Sequence, residues 1–476
     1  MKSKIKILYL AILLPLIVLG QKRLTNEQVL EDYKILKNVL TKGHPNLYEY
    51  TSKSEWDSLF TDFEKNKIKT IDNNNDLYKS ITKLTDYVGD GHLIIMRPQL
   101  DSVPNLFPLW LKIINKKLYI DTDDFDIPVG SEIISIDGLN SKELRNRLMK
   151  YVPSDGFNET KKDRQLEMEF GILHFYEFGV KSTYQVKYRT PGDEVIINTI
   201  KSQTFESIGK RFTKRNSFLA LKTLSEKGPH LYFIDSLKTA VLTLNTFNLD
   251  VERFKLALVD IFKNIKRKKA KNLIIDIRQN KGGYPLNAIK AFSYIANEPF
   301  KQQVSSYVTT DSLPEEQYSQ NLVNGYTYET FFKKYYQNTE RTENGWKSTT
   351  DENEPLMIPN KKRFKGKVYV LIGGKTFSAG SSFALFCKNQ GITLVGEETG
   401  GSYYTQAGGY PIIYTLPNSN IKALISFVKI SRYTKDETVK KGIGIVPDIE
   451  IPLTVKHLIE KKDSQLDYVI KQINDG

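Results

Sequence analysis

The chain has 476 residues, of which 40% are hydrophobic and 26% are charged, the composition of a globular protein with a large core. Its length predicts about two to four domains. A single cysteine, Cys387, excludes an intramolecular disulfide framework. The five histidines are scattered and form no Cys/His pair at the spacing of zinc ligands. The net charge of +14 is spread along the chain and forms no basic stripe of the kind that binds nucleic acid.

Residues 1–20 have the pattern of a targeting signal. Three lysines precede an apolar run from Ile7 to Leu19, which is shorter than a comfortable membrane span. Val18 and Gly20 are small residues at the positions that a signal peptidase reads before a cut ahead of Gln21. We therefore expect a signal peptide and an exported protein, periplasmic or extracellular, with an uncleaved membrane anchor as the alternative.

Residues 21–97 are predicted to form an N-terminal helical domain. Thr25 and Gln28 form a capping-box pair at the start of a first helix, and apolar residues at helical spacing indicate two more helices. The third helix is expected to end at Gly89, because glycine readily takes the left-handed conformation that closes a helix. His92 follows at the exit of this domain.

Residues 98–205 are predicted to form a compact, mostly β module. Tyr184–Arg189 and Val195–Ile200 have the pattern of two strands joined by a hairpin turn. The stretch from Pro128 to Gly138 resembles the central strand and turn of PDZ domains, which bind chain termini by adding a strand to a sheet edge. A plain hairpin would give the same pattern, so both interpretations stand.

Residues 206–455 alternate strand and helix patterns, which predicts a parallel sheet with crossover helices. Within them, Leu273–Ile277 is a continuous apolar run, typical of a strand that is buried on both faces. A polar, tyrosine-rich stretch at 297–362 is too long for an ordinary loop and is predicted to be a lid or an insertion. Residues 456–476 are predicted to form a C-terminal helix or tail.

Two segments of this core carry candidate chemistry. Asp276–Gly283 places two glycines at the carboxyl end of the buried strand, where α/β sheets bind ligands and where backbone amides can face an oxyanion. A tight turn is the simpler interpretation. Ser378, within Lys375–Ser382, lies at the start of a predicted helix; such a serine is usually a cap, but the position also suits a nucleophile beside the positive end of the helix dipole.

Four blocks together resemble the C-terminal processing peptidase family of serine peptidases, which also includes the tricorn core protease and the retinoid-binding protein of the photoreceptor matrix. The blocks stand in family order at 273–283, 376–381, 395–401 and 442–449. The resemblance implies an α/β fold with a crotonase-like (ClpP-like) spiral core, an N-terminal helical cap and an inserted PDZ-like domain. It also implies that Ser378 is the nucleophile and that Gly282 and Ala379 supply oxyanion-hole amides.

The general base differs between two branches of this family. The processing-peptidase branch uses a lysine downstream of the serine, but no lysine occurs between Asn389 and Ile421. The tricorn-like branch uses a histidine from the N-terminal part, in a segment similar to Asp90-Gly91-His92. We therefore expect His92 to be the base, since a neutral imidazole can accept the serine proton; a helix cap or a surface histidine is the alternative.

A third catalytic acid is expected downstream of the serine. In the tricorn-like branch a glutamate belongs to the catalytic network, and Glu437 is the candidate here, with Asp436 and Glu398 as competitors. A solvated loop acid is the alternative interpretation of Glu437. The chain departs from the family pattern at Ser381, where a glutamate is usual, and at Lys281, where a proline is commoner.

These features predict an exported serine peptidase that hydrolyses peptide bonds of peptides or unfolded proteins. No metal, no organic cofactor and no nucleic acid is expected, and a membrane is expected only through an uncleaved signal. The first alternative is a catalytically inactive peptide- or ligand-binding protein on the same scaffold. The second is a peptide-docking module in which only the β-rich segment works.

Overall fold

A computed structural model describes residues 22–100, 102–122, 125–216, 228–321, 327–349 and 356–475. The predicted signal peptide, 1–20, lies outside them. The α-helices of the described residues are α1 (Asn26–Gly43), α2 (Lys53–Asp62), α3 (Asn74–Thr85), α4 (Ser141–Met149), α5 (Glu159–Phe178), α6 (Phe205–Asn216), α7 (Val251–Arg267), α8 (Pro285–Ser293), α9 (Tyr328–Tyr335), α10 (Ala379–Asn389), α11 (Val455–Glu460) and α12 (Ser464–Asp475). None of these helices combines the length and the apolar content needed to cross a membrane.

The strands of the same residues are β1 (Ile94–Ile95), β2 (Leu111–Ile114), β3 (Lys117–Ile120), β4 (Glu132–Ile136), β5 (Leu139–Asn140), β6 (Thr183–Arg189), β7 (Val195–Lys201), β8 (His230–Ile234), β9 (Thr239–Thr243), β10 (Asn272–Asp276), β11 (Gln303–Val308), β12 (Ser319–Asn321), β13 (Glu340–Thr342), β14 (Gly345–Thr349), β15 (Lys367–Ile372), β16 (Thr393–Gly396), β17 (Thr405–Thr415), β18 (Lys422–Arg432) and β19 (Ile449–Glu450). The described strands pair in three sheets, with orders β19-β16-β15-β10-β9-β8, β12-β17-β18-β11-β14-β13 and β2-β3-β4-β6-β7.

The N-terminal part of the described chain contains the three predicted helices, and its being a separate domain stays a prediction. Helix α1 begins with the capping box of Thr25 and Gln28, in which each side chain accepts a hydrogen bond from the other residue's backbone. A 3₁₀ turn after α3 ends at Gly89, whose φ of 62° is the left-handed conformation expected of a glycine cap. The chain then leads through His92 into β1, which pairs with β18 of the second sheet.

The second module contains the predicted hairpin and one helix that the sequence patterns missed. Strands β6 and β7 pair antiparallel, with Arg189 opposite Val195, as predicted. Helix α5 was not predicted, because its buried residues lie all around its circumference and include charged ones, among them Asp163 and Glu167. Without a single apolar stripe, the helical period is hidden in the sequence.

The core sheet confirms the predicted strand–helix alternation. Strands β9, β10, β15, β16 and β19 run parallel, and β8 pairs antiparallel with β9. One face of this sheet packs against α7, α8 and α10, through buried side chains such as Phe254, Phe292 and Phe383. The carboxyl ends of β10 and β15 therefore meet at one edge of the sheet, which brings the two candidate segments together.

The stretch at 297–362 contributes regular structure where it is described. Strand β11 pairs antiparallel with both β14 and β18, and β12 pairs with β17. The stretch thus extends the second sheet. Its role as a lid stays a prediction.

Candidate active site

Ser378 occupies the turn between β15 and α10 in an unusual backbone conformation. Its φ is 52° and its ψ is −123°, and its side chain makes no capping hydrogen bond to the helix that follows. A positive φ is costly for a residue with a side chain, by about 1–3 kcal/mol, and persists only where the surroundings hold it. Ser378 therefore occupies the N-cap position of α10, but its side chain does not cap the helix.

The Ser378 turn is tied to the glycine-containing turn after β10. The Thr376 hydroxyl donates to the carbonyl of Ile277 at 2.9 Å, and the Phe377 N–H donates to the carbonyl of Asn280 at 2.9 Å. The Asn280 side chain in turn donates to the carbonyl of Leu244 at 2.8 Å. These buried bonds fix the position of Ser378 relative to both turns.

His92 reaches Ser378 from the opposite side of the site. Its Nε2 lies 3.2 Å from the Ser378 Oγ, within hydrogen-bond distance. The imidazole also packs on the ring of Phe377, with 4.6 Å between ring centroids. Its loop is held because the Gly91 N–H donates to Asp155 Oδ1 at 2.7 Å. The structure thus brings together the predicted nucleophile and the predicted base, 286 positions apart in the chain.

The two predicted oxyanion donors differ in their surroundings. Ala379 is the first residue of α10, where backbone N–H groups have no partner within the helix. Gly282 lies against it, since a Cβ on Gly282 would come 2.7 Å from the Ser378 Cβ and 2.9 Å from the Ala379 nitrogen. However, the Gly282 N–H donates to Asn280 Oδ1 at 2.8 Å, so it is already used inside its own turn.

The next residue, Gly283, is better placed than Gly282. It forms a parallel bridge with Phe247, in which the Phe247 N–H donates to the Gly282 carbonyl and the Tyr284 N–H donates to the Phe247 carbonyl. The N–H of Gly283 therefore points away from Phe247. Gly283 lines the same cavity as Ser378 and Ala379. The sequence motif indicated this turn as a whole; which of its two glycines offers a free amide depends on the hydrogen bond from the Gly282 N–H to Asn280 Oδ1.

A cavity of about 1660 Å³ opens over these residues. It is large enough for a peptide segment, and His92, Ser378 and Ala379 line it. Its wall beside Gly283 is apolar and includes the largely exposed side chains of Tyr284 and Leu286.

Comparison with known proteins agrees with this geometry. Residues 238–451 match the sequence model of peptidase family S41. This segment of the chain is therefore similar to an S41 peptidase domain. The family is one of serine-type peptidases, so the match supports a serine peptidase, a hydrolase. No curated protein matches the chain.

Solved structures share the fold over nearly the whole chain. The structure of mature CPAF complexed with lactacystin is 15% identical and covers 95% of this chain and 99% of its own, with a TM-score of 0.66. A crystal structure of mature CPAF is 16% identical and covers 94% of this chain and 98% of its own, with a TM-score of 0.62. The α/β architecture, with its several sheets, is thus the fold of these proteins.

None of the three predicted catalytic acids is seen to bond His92 in the described residues. Glu437 lies in an exposed loop after β18. Asp436, in the same loop, accepts hydrogen bonds from the backbone and side chain of Thr438. Glu398 accepts bonds from Asn158, Thr160 and the Gly444 N–H, and so ties α5 to the last family block. The role of Glu437 stays a prediction.

The carboxylate beside the His92 ring is Asp90, which the sequence interpretation passed over. Its Oδ1 lies 3.7 Å from His92 Nδ1 and accepts the His92 N–H at 2.7 Å. Burial opposes ionisation of Asp90, but hydrogen bonds and charge attraction from His44 and His92 outweigh it and hold the pKa of Asp90 below its ordinary value. The signal was local: an aspartate two residues before a histidine commonly forms a turn of this kind.

Four buried charges surround the candidate site, and sequence patterns did not indicate three of them: Asp155, Lys161 and Arg432. Burial lowers the pKa of Lys161 to about 8, although Asp155 and Asp90 act in the opposite direction. Burial likewise lowers the pKa of Arg432 to about 10, against the charge of Asp155. With Asp90, two carboxylates thus face two cations. A proton taken up by His92 then adds positive charge where an oxyanion would develop.

Arg432 contacts position 381, where the chain departs from the family pattern. Its guanidinium donates to the Ser381 hydroxyl at 2.8 Å and to the carbonyl of Ser378 at 3.3 Å. Ser381 itself donates to the Ser378 carbonyl at 2.8 Å. The buried guanidinium and the Ser381 hydroxyl therefore both support the turn that carries Ser378.

Asp90, His92 and Asp155 also have the spacing of a metal-binding group, with ligand atoms within 4.8 Å of one another. Their oxygens are already used, because Asp155 accepts the N–H groups of Gly91 and Ser402 and Asp90 accepts bonds from the two histidines that flank it. Hydrogen bonding therefore explains this cluster without an ion.

Proposed function

We propose that this protein is an exported serine peptidase in which Ser378 is the nucleophile and His92 is the general base. The observation that carries the proposal is the 3.2 Å approach of His92 Nε2 to Ser378 Oγ at the mouth of a large cavity. It is supported by the positive φ of Ser378, which a capping serine does not need. Glu437 or Asp90 would complete the site as the orienting acid.

The chemistry follows from this arrangement. His92 Nε2 takes the hydroxyl proton of Ser378 while Oγ attacks the carbonyl carbon of the substrate, and the carbonyl π electrons move to its oxygen. We assign the stabilisation of this oxyanion to the N–H groups of Ala379 and Gly283. The C–N bond then breaks as His92 donates its proton to the leaving amine, and water releases the acyl group by the same steps.

The substrate is proposed to be a peptide or an unfolded polypeptide. The cavity is large enough for a peptide segment, and β7 is the edge strand of the sheet that the described residues of the module at 98–205 form. If the module is PDZ-like, a chain terminus would add to such an edge as a further strand. We further propose that the core is a crotonase-like spiral and that the segment at 1–20 directs export.

An inactive binding protein on the same scaffold is the competing function. It predicts that Ser378 and His92 stay beyond hydrogen-bond distance and that alanine at either position leaves ligand affinity unchanged. The short distance between their side chains counts against it. A pure docking module would not need the matched buried charges that surround the site.

The test is covalent labelling and turnover of the purified chain. A fluorescent phosphonate that reacts with serine nucleophiles is expected to label Ser378, located by mass spectrometry, and a quenched casein substrate is expected to be cleaved. Ser378→Ala and His92→Ala should abolish both signals, whereas Ser54→Ala, an exposed serine on α2, should change neither. Labelling elsewhere, or cleavage that survives Ser378→Ala, would overturn the proposal.

A further inference from the structure

Asp90 and His44 form a buried pair directly behind His92. Both side chains are fully buried, and His44 Nε2 lies 2.9 Å from Asp90 Oδ2. We propose that this pair positions the general base: Asp90 orients and stabilises the His92 imidazole, and His44 holds Asp90 in place. The inference deepens the proposed peptidase function and rests on it. It assigns to Asp90 the part predicted for Glu437.

His92 has one ring nitrogen, Nδ1, that faces Asp90. Its Nδ1 is buried and has no hydrogen-bond partner among the described residues. An unpaired buried donor is unfavourable, and Asp90 Oδ1 stands 3.7 Å away, just beyond hydrogen-bond distance. A small rotation of the ring would close this gap. The rotation becomes favourable when His92 takes the serine proton, because Nδ1–H then belongs to a cation beside a carboxylate.

Hydrogen bonds fix the tautomer of His44. The Asn46 N–H donates to His44 Nδ1 at 3.1 Å, so this nitrogen is an acceptor and carries no proton. The proton of a neutral His44 must therefore sit on Nε2, from which it donates to Asp90 Oδ2. A second proton on Nδ1 would oppose the Asn46 N–H. The Asn46 N–H thus orients the His44 ring so that its Nε2–H is directed at Asp90.

Hydrogen bonds on both oxygens orient the Asp90 carboxylate. One carboxylate oxygen is bound by His44, and the other is bound by the backbone N–H of His92. Two bonds on opposite oxygens fix the plane of the carboxylate. The other charged groups around it are Asp155 and Lys161, and Lys161 supplies positive charge on the side of Gly91. Without His44, Asp90 would be free to turn away from Nδ1.

The experiment compares Asp90→Asn and His44→Phe with Glu437→Gln and His174→Phe in the full chain. Asparagine keeps the shape of Asp90 but cannot hold a protonated His92, so kcat is expected to fall about 10³-fold or more with little change in KM. His44→Phe should lower kcat by about 10- to 100-fold, and His44→Gln, which keeps a donor, should restore most of it. His174 is a second buried histidine, remote from the site, and controls for lost packing.

A spectroscopic readout separates positioning from folding. In wild-type protein labelled with the phosphonate, protonated His92 should give a strongly downfield proton NMR resonance from its Nδ1–H bond to Asp90. The resonance should disappear in Asp90→Asn and persist in Glu437→Gln. The reverse pattern, or unchanged kcat in Asp90→Asn, would overturn this inference while leaving the peptidase proposal intact. A wild-type chain that is neither labelled at Ser378 nor active would overturn both.

Discussion

The Lys161 Nζ lies 3.7 Å from the centroid of the Phe377 ring, and the same ring packs on His92. The ammonium also donates to the Gly91 carbonyl at 3.3 Å. A buried cation is therefore stacked one aromatic ring away from the proposed base, and it faces Asp90 and Asp155. Removal of this charge should change the pH dependence of the reaction as well as its rate.

Lys161→Met is expected to move the acidic limb of the kcat/KM profile to higher pH. The substitution leaves two buried carboxylates near His92 with one fewer cation, so the imidazole holds a proton more readily and is available as a base only at higher pH. Lys161→Arg keeps the charge and should preserve the position of the limb. The profile is measured with a quenched peptide between pH 5 and pH 9; coincident limbs in wild type and Lys161→Met would contradict the prediction.

Lys161 should also make the stability of the fold depend on pH. Its pKa is lowered from 10.5 to about 8, so below pH 8 it is charged in both states and the cost of burying that charge is fully present. Between about pH 8 and 10.5 the unfolded chain binds more protons, so stability relative to Lys161→Met rises with pH. We expect a gain of roughly 2 kcal/mol between pH 7 and pH 10 in urea unfolding. A flat difference would show that Lys161 is well solvated.

Gly91→Ala is expected to lower kcat by about 10²-fold, because small displacements of catalytic groups are costly. A Cβ at this position would lie 2.6 Å from the Phe377 ring and 2.7 Å from the Lys161 Nζ, so both would have to move from their places beside His92. Gly192→Ala, in the β6–β7 turn, is the matched control, since its nearest atom would lie at 3.7 Å. Equal activity of the two variants would show that the His92 loop adapts without loss.

Local sequence patterns predicted the parts of this protein that depend on neighbouring residues. The capping box of α1, the glycine end of the third helix and the alternation of the core follow from contiguous spacing, and the structure confirms them. Helix α5 was missed because it is surrounded by other elements and has no polar face to reveal its period.

The supporting residues of the site could not be predicted in the same way. His44 and Asp90 are 46 positions apart, and Gly91 and Lys161 are 70 positions apart, so only the fold brings them together. Even the choice of Gly283 over Gly282 depends on one side-chain hydrogen bond. Motifs thus indicated the residues that we propose to react, whereas tertiary packing determines which groups surround them.

Glu398→Gln should destabilise the protein without changing turnover by the folded enzyme. Glu398 accepts bonds from Asn158 at 2.9 Å, from the Gly444 N–H at 2.6 Å and from Thr160 at 2.8 Å, and an amide cannot accept all three. A loss of about 1–3 kcal/mol in the free energy of unfolding is expected. A large fall in kcat at unchanged stability would instead make Glu398 the acid that supports His92.

Cys387 should react with thiol reagents only when the chain unfolds. Its side chain is completely buried on α10 within the core cluster, and burial raises the pKa of the thiol well above its ordinary value, so both access and thiolate are lacking. Modification by a chromogenic disulfide is expected to be slowed by about 10³- to 10⁶-fold relative to the chain in denaturant. Cys387→Ala, which has no thiol, provides the blank.

The same assay reports whether Asp90→Asn and Gly91→Ala remain folded, because a variant that loses activity but keeps Cys387 protected has lost function and not structure. Rapid modification of native wild-type protein would contradict the buried position of this helix.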